Sequence, residues 1–528
     1  MAHLGDLGIR LAHSAIVRGH CHDAAMTTLE SHDNHVADPH PQSEHVANLD
    51  ASAAASLLAS GGTTSVALVS ALLDRIATVD TDSTDVSLRS VLAVDAGALA
   101  VARERDAERA AGAVRGPLHG VPVLIKDNIE AVGLPATAGA TSLVDRTVSV
   151  DSPIAQRIRD AGAIIIGATN LSQWANIRSP HSSSGWSAVG GLVGNPWALD
   201  RSAGGSSSGS GAAVAAGLAP MAVGTETDGS IVCPSSLNGL VGIKPTVGSV
   251  STRGVVPISH SQDSPGPMAR TVRDAAALLQ VLSGRDDLLA AVDDDSSALR
   301  IGVMREYRTG HPGTDNLFDA IASSLSGAGV LVGDSNTIAP ESSVGGDELT
   351  VLLCELKDGL ADYLPTRGGN GPQNLADVIA HEQAHADVEL AHFGHEFFIQ
   401  AQATDGCAGQ DYRDARARNL AWALQDCLEP GIDGWDVLIA PAYAPAWKID
   451  LVNGDQGLAS PVTRPAAIAG WPIACVPMGL VEGLPVGLAI IARAGAEATL
   501  VRAAATIERR IAIAAADRRP RFPGPRRG

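Results

Sequence analysis

The chain has 528 residues, 45% of them hydrophobic, and a formal net charge of -20 at pH 7. That apolar content is ample for a sizeable core, while the acidic balance excludes a general nucleic-acid-binding surface, which needs clustered Lys and Arg to attract phosphate. No apolar run approaches a membrane span and the N-terminus carries no apolar leader segment, so the expectation is a cytoplasmic protein without membrane contact.

Residues 1–50 are polar and hold half of the 16 histidines. Such composition predicts a disordered extension rather than a packed element. From about Ala53 the pattern changes. Ala55, Leu57 and Leu58, then Val66, Leu68, Val69, Leu72, Leu73 and Ile76, recur at helical spacing and predict two helices. Short apolar runs at 121–125, 163–166 and 221–223 predict strands, and helical stretches at 154–159 and 212–216 lie between them.

The same short apolar character returns at 301–303, 437–440, 473–476 and 486–491. Residues 349–364 and 375–402 have the length and spacing of long helices, and the stretch from Asp293 to Ser297 is a candidate exposed loop. Alternating strands and helices without a central spacer predict one large α/β domain over 51–515, with a mixed central sheet covered by helices on both faces. The end, 516–528, combines Arg518, Arg519, Arg521, Arg526 and Arg527 with proline and glycine and is expected to be a solvated tail. Six widely separated cysteines show no paired spacing for zinc or disulfide chemistry.

Three polar features interrupt the apolar pattern. Lys126 ends the run Val121-Pro-Val-Leu-Ile125 and is one of only four lysines in a chain that otherwise uses arginine. A buried ammonium must be paired or lose its proton, and arginine cannot lose its own. A structural salt bridge with Asp127 or another acid explains the position as well as a catalytic base does. Next comes the loop Gly204-Gly-Ser206-Ser-Ser-Gly-Ser-Gly211, which runs straight into an alanine-rich helix. By composition it is a linker, but by position it is an ordered turn at a helix N-terminus. Third is Gly224-Thr-Glu-Thr-Asp-Gly-Ser230, where a serine hydroxyl follows a run of backbone N–H groups able to bind an oxyanion. A surface turn would explain those residues equally well if they stood alone.

Taken in order, these three segments resemble the amidase signature family, and the 24 positions from Ser206 to Ser230 agree with that family's spacing. The resemblance runs from about residue 53 to 509. It implies a Ser-Ser-Lys triad with Ser230 as nucleophile, Ser206 as bridging serine and Lys126 as base. Backbone N–H groups of Thr227, Asp228, Gly229 and Ser230 would form the oxyanion hole, and neither metal nor organic cofactor would be required.

Within the family, three stretches are most similar to the peptide amidase branch: Ser184-Gly-Trp-Ser-Ala188, Gly224 to Pro234, and Ala444-Pro-Ala-Trp-Lys-Ile-Asp-Leu-Val-Asn-Gly-Asp455. The implied substrate is a small amide or a C-terminally amidated peptide. A general aliphatic or aromatic amidase, the A subunit of a tRNA-dependent amidotransferase and an inactive amidase-fold binding protein are the alternatives.

Two further motifs compete. His381-Glu382-Gln-Ala-His385 matches the zinc-protease pattern, but Val388 and Ala391 stand where the extended pattern requires glycine and histidine. Gly205-Ser-Ser207-Ser-Gly209 matches the nucleophile elbow of α/β-hydrolases, yet the residues before it, Asp200-Arg-Ser-Ala203, are not a strand.

Overall fold

The computed structural model describes residues 46–80, 87–294, 298–327, 330–338, 342–511 and 520. The expectations for most of the His-rich extension, for Asp295 to Ser297 and for the basic tail lie outside them. The two early helices form at Ala51–Ser60 and Ser65–Val79. Asp50 and Thr64 cap them by accepting from the amides of Ala53 and Ala67, which satisfies N–H groups that have no partner inside the helix.

Thirteen strands follow in chain order: β1 (Val91–Val94), β2 (Pro122–Lys126), β3 (Ile164–Thr169), β4 (Trp186–Ser187), β5 (Gly191–Leu192), β6 (Met221–Glu226), β7 (Val241–Lys244), β8 (Ser264–Ala269), β9 (Arg300–Val303), β10 (Leu331–Asp334), β11 (Val437–Pro441), β12 (Ile473–Val481) and β13 (Leu484–Ile491). Eleven of them make one sheet in the order β1-β3-β2-β6-β8-β7-β12-β13-β11-β9-β10, while β4 and β5 pair separately. The sheet is mixed. β3, β2 and β6 run parallel, as do β11, β9 and β10, and the strands between are antiparallel.

The strands are apolar at nearly every position because both faces are covered. Val123, Ile125, Ile165, Val223, Ile243, Val303, Ile439, Val476 and Ile490 face one core, filled from the helices Val272–Ser283 and Glu497–Ile511. The alternate residues Leu124, Ile164, Ile166 and Ala222 face another with the helices Ser65–Val79 and Ser208–Ala215. Leu438, Ala440, Ile473, Cys475 and Ile491 enter a third core. The period of two along each strand is what sorts these side chains between faces.

Two features depart from the sequence pattern. β8 is Ser-Pro-Gly-Pro-Met-Ala and gives no strand signal, since proline lacks the ladder N–H. It nevertheless pairs along its whole length with β6. Residues 375–402 are not one helix but three, Leu375–Ala384, Ala386–Glu389 and Glu396–Ala403. Arg178, fully buried, donates to the carbonyls of Glu389 at 2.6 Å and Phe393 at 3.3 Å. It thereby satisfies acceptors that a continuing helix would have used, and the chain turns there.

The sheet order positions the chemistry. β2 lies parallel to β6 with Ile125 opposite Val223, so Lys126 at the end of β2 meets Thr225 near the end of β6.

Candidate active site

Lys126 has no solvent exposure. Its Nζ lies 2.7 Å from Ser206 Oγ, 2.9 Å from Thr225 Oγ1 and 3.3 Å from Thr225 O. Burial pulls its pKa down from 10.5 to about 7, against the opposing fields of Asp263 and Glu226, because desolvation disfavours the ammonium. The Asp127 salt bridge allowed by the sequence does not form. The Asp127 carboxylate turns away and accepts from Thr137 N at 3.0 Å and from the Thr137 hydroxyl.

Ser206 sits in the Gly/Ser loop just before the helix Ser208–Ala215, and the Gly205–Ser206 peptide bond is cis. The loop is pinned rather than flexible. Ser172 N donates to Ser206 O at 3.1 Å, and Ser207 Oγ donates to Thr225 O at 3.1 Å. Ser207 N donates to Ser230 O at 3.2 Å, which ties the residue next to Ser206 to Ser230 itself. The hydrolase-elbow reading is not realised, because Ser207 is buried against β6 and no named strand runs into the loop.

Ser230 lies in the turn between β6 and the helix Val232–Asn238. Glu226, buried, sets the shape of this turn by accepting from the amides of Ile231 at 2.6 Å and Val232 at 2.9 Å. Asp263 holds its start by accepting from Thr227 Oγ1 at 2.6 Å. Burial raises the pKa of both acids, that of Asp263 to about 6. Gly229 has φ of 80°, and a Cβ there would stand 2.6 Å from Tyr443 Oη. Only glycine satisfies both the left-handed backbone and that close approach. Among the described residues, the amides of Thr227, Asp228, Gly229 and Ser230 donate to no protein acceptor, and Ser230 Oγ has no hydrogen-bond partner.

Ser230, Asp228 and Thr227 line a cleft of 310 Å³ together with Ser184, Cys233, Tyr443, Trp447 and Asp455. The Asp455 carboxylate accepts from Trp447 Nε1 at 3.0 Å and from Ser184 N at 3.1 Å, so two segments 271 residues apart share one wall. These are the stretches singled out in the sequence.

The residues that sequence reasoning missed are Thr225, Asn128, Glu226, Asp263 and Tyr443. Thr225 carries no local signal, since it reaches Lys126 only through the parallel pairing of β2 with β6. The contributions of Asp263 and Tyr443 depend on β8 and on the end of β11, which carry no local signal for the site.

The zinc-protease motif is taken up by packing. Glu382 is buried and accepts from Trp174 Nε1 at 3.0 Å, with His395 Nδ1 at 2.8 Å and Arg178 Nη1 at 3.7 Å. His381 and His385 stack on each other with ring centroids 4.1 Å apart. Among the described residues no group of three His, Cys, Asp or Glu could hold a metal ion. The five cysteines there are free thiols, and no helix there is long and apolar enough to cross a membrane.

Comparison with known families decides the kinship. The Amidase family model matches residues 67–501. The chain belongs to the amidase signature family. It is 34% identical over 485 residues to the A subunit of glutamyl-tRNA(Gln) amidotransferase from Salinispora tropica, covering 86% of this chain and 95% of that protein. A probable amidase of Arabidopsis thaliana is 37% identical over 414 residues, covering 73% and 78% of the two chains.

Among solved structures, the native peptide amidase from Stenotrophomonas maltophilia superposes with a TM-score of 0.82 at 40% identity, covering 91% of this amidase and 99% of that chain. Peptide amidase PAM in complex with the competitive inhibitor chymostatin gives a TM-score of 0.84 at 41% identity, covering 90% and 99%. This amidase is therefore an amidohydrolase of a serine-nucleophile family, built on the mixed sheet of its relatives.

Proposed function

We propose that this amidase hydrolyses C-terminal carboxamides of peptides to carboxylate and ammonia, with Ser230 as nucleophile, Ser206 as proton relay and Lys126 as base. The observation that carries this reading is the 2.7 Å contact between the buried Lys126 Nζ and Ser206 Oγ. A neutral amine has two N–H groups and one lone pair. Thr225 O and Thr225 Oγ1 take the two N–H groups, and the lone pair is left for the Ser206 hydroxyl.

Ser206 then accepts the Ser230 proton as Ser230 Oγ attacks the amide carbonyl, which is the Ser-Lys form of triad logic. The unpaired amides of residues 227–230 supply donors where the oxyanion develops. The C–N bond breaks as the proton returns to nitrogen, and ammonia leaves. Water adds to the acyl-enzyme by the reverse relay, giving the acid and free Ser230.

A peptide acyl group is favoured by the likeness to peptide amidases over nine-tenths of the chain and by a cleft to which the two peptide-amidase-like segments contribute Ser184, Trp447 and Asp455. The test is ammonia release by the purified chain from amidated di- and tripeptides, free aliphatic amides and aromatic amides. Ser230→Ala should lower turnover by at least about a thousandfold. Efficient turnover of free amides with none of amidated peptides refutes the peptide assignment, and full activity of Ser230→Ala refutes the nucleophile. The likeness to amidotransferase A subunits supports a second reading, which predicts ammonia transfer only with partner chains present.

A further inference from the structure

Beside the 310 Å³ cleft lies a second space with only about 10 Å³ of room for the centre of a water-sized molecule, close to the least that one water needs. The two share Ala175, Thr227 and Ile258 as walls, so they adjoin. They differ in the serine that each one meets. Ser230 faces the large cleft, and Ser206 faces the small chamber with Thr225 and Asn128.

An amide nitrogen must be protonated as its C–N bond breaks, or it would have to depart as an anion. In the relay described above the proton comes back through Ser206. The leaving nitrogen therefore lies on the Ser206 side of the carbonyl, and the acyl group occupies the large cleft.

We propose that the chamber beside Ser206 is the leaving-group site, and that Val256 and Ile258 form the wall that restricts this group to the size of ammonia. The same chamber then takes the single water that attacks the acyl-enzyme. As the water oxygen bonds to the acyl carbon, a water proton passes to Ser206 while Ser206 passes its own to Lys126; the bond to Ser230 then breaks as the relay returns a proton through Ser206 to Ser230 Oγ.

The wall is built to hold its position. Val256 N donates to Asn128 O at 2.9 Å, and Ile258 N donates to Asp263 Oδ2 at 2.8 Å. Asn128 follows the base by two residues, and Asp263 also anchors Thr227. Movement of the wall would disturb both the base and the oxyanion turn. Val256 and Ile258 are each 6% exposed, so a methyl group added to the substrate nitrogen meets packed side chains rather than solvent.

This inference rests on the amide-hydrolase reading of the triad. It is tested with the primary amide, N-methylamide and N-ethylamide of one acyl group, using wild type, Val256→Ala and the milder Ile258→Val. In wild type, kcat/KM should fall by at least about a hundredfold from primary to N-methyl amide. Either variant should narrow that ratio by about tenfold or more, whatever its absolute rate. Wild-type turnover of the N-methylamide within about tenfold of the primary amide overturns the chamber. So do variants that slow both substrates in parallel. An enzyme that is inert by itself on every primary amide overturns the free-standing amide-hydrolase reading on which the chamber rests, which separates that failure from a failure of the chamber alone.

Discussion

Replacing Lys126 by arginine keeps the charge and nearly the length of the side chain but removes its ability to lose a proton. A lysine at its ordinary pKa of 10.5 would be neutral in only about one molecule in 300 at pH 8. With burial holding it at about 7, about nine in ten are neutral at that pH. For a lysine acting as the proposed base, that shift corresponds to a factor of about 300 in the neutral form at pH 8.

The sign follows directly. In the proposed mechanism the active form is the deprotonated one, so kcat/KM for an amidated dipeptide should rise tenfold per pH unit below about 7 and level off above it. Lys126→Arg and Lys126→Met should each lose at least about a thousandfold at pH 8. The assay is initial ammonia release between pH 5.5 and 9.5, with circular dichroism to show that the variants fold. A flat profile from about pH 5.5 upward, or a folded Lys126→Arg enzyme within about tenfold of wild type, refutes the neutral-base argument.

Other outcomes follow from the same geometry. Gly229→Ala should lower kcat by about a hundredfold or more, since it combines a left-handed φ with a 2.6 Å approach to Tyr443 Oη; Tyr443→Phe added to it should restore only part of the activity. Glu226→Gln weakens the anchor of the Ile231 and Val232 amides and should cost about 1–3 kcal/mol of stability, read by urea unfolding, along with a lower kcat at unchanged KM. Trp447→Ala removes a cleft wall braced by Asp455 and should raise KM for amidated peptides by about tenfold while leaving small free amides within about threefold. Glu382→Ala breaks the buried set with Arg178 and His395 and should cost about 3–5 kcal/mol; chelators should leave wild-type activity intact, and zinc-dependent recovery after chelation would reverse that assignment.

Much of this protein was legible from local pattern. Apolar runs with a side-chain period of two announce strands such as β2, β3 and β13 because each face of the sheet must be filled. Lys126 stands out for the converse reason, since a charge at the end of an apolar strand has no cheap solution. The order of the three polar segments and the 24-residue step from Ser206 to Ser230 were enough for the resemblance to the family.

What no local window contains is the set of partners. Thr225 reaches Lys126 across 99 residues only because β6 lies next to β2, and Asp263 arrives from the approach to β8, whose prolines hide it as a strand. The broken helix after Ala384 ends where Arg178, more than 200 residues earlier, takes its carbonyls. Even whether Lys126 pairs with the adjacent Asp127 was open in the sequence, and it is Thr137, ten residues on, that takes the Asp127 carboxylate instead. Periodicity reports which way a side chain faces, whereas sheet order and burial decide what it meets there. The pKa of a buried group is set by that second quantity.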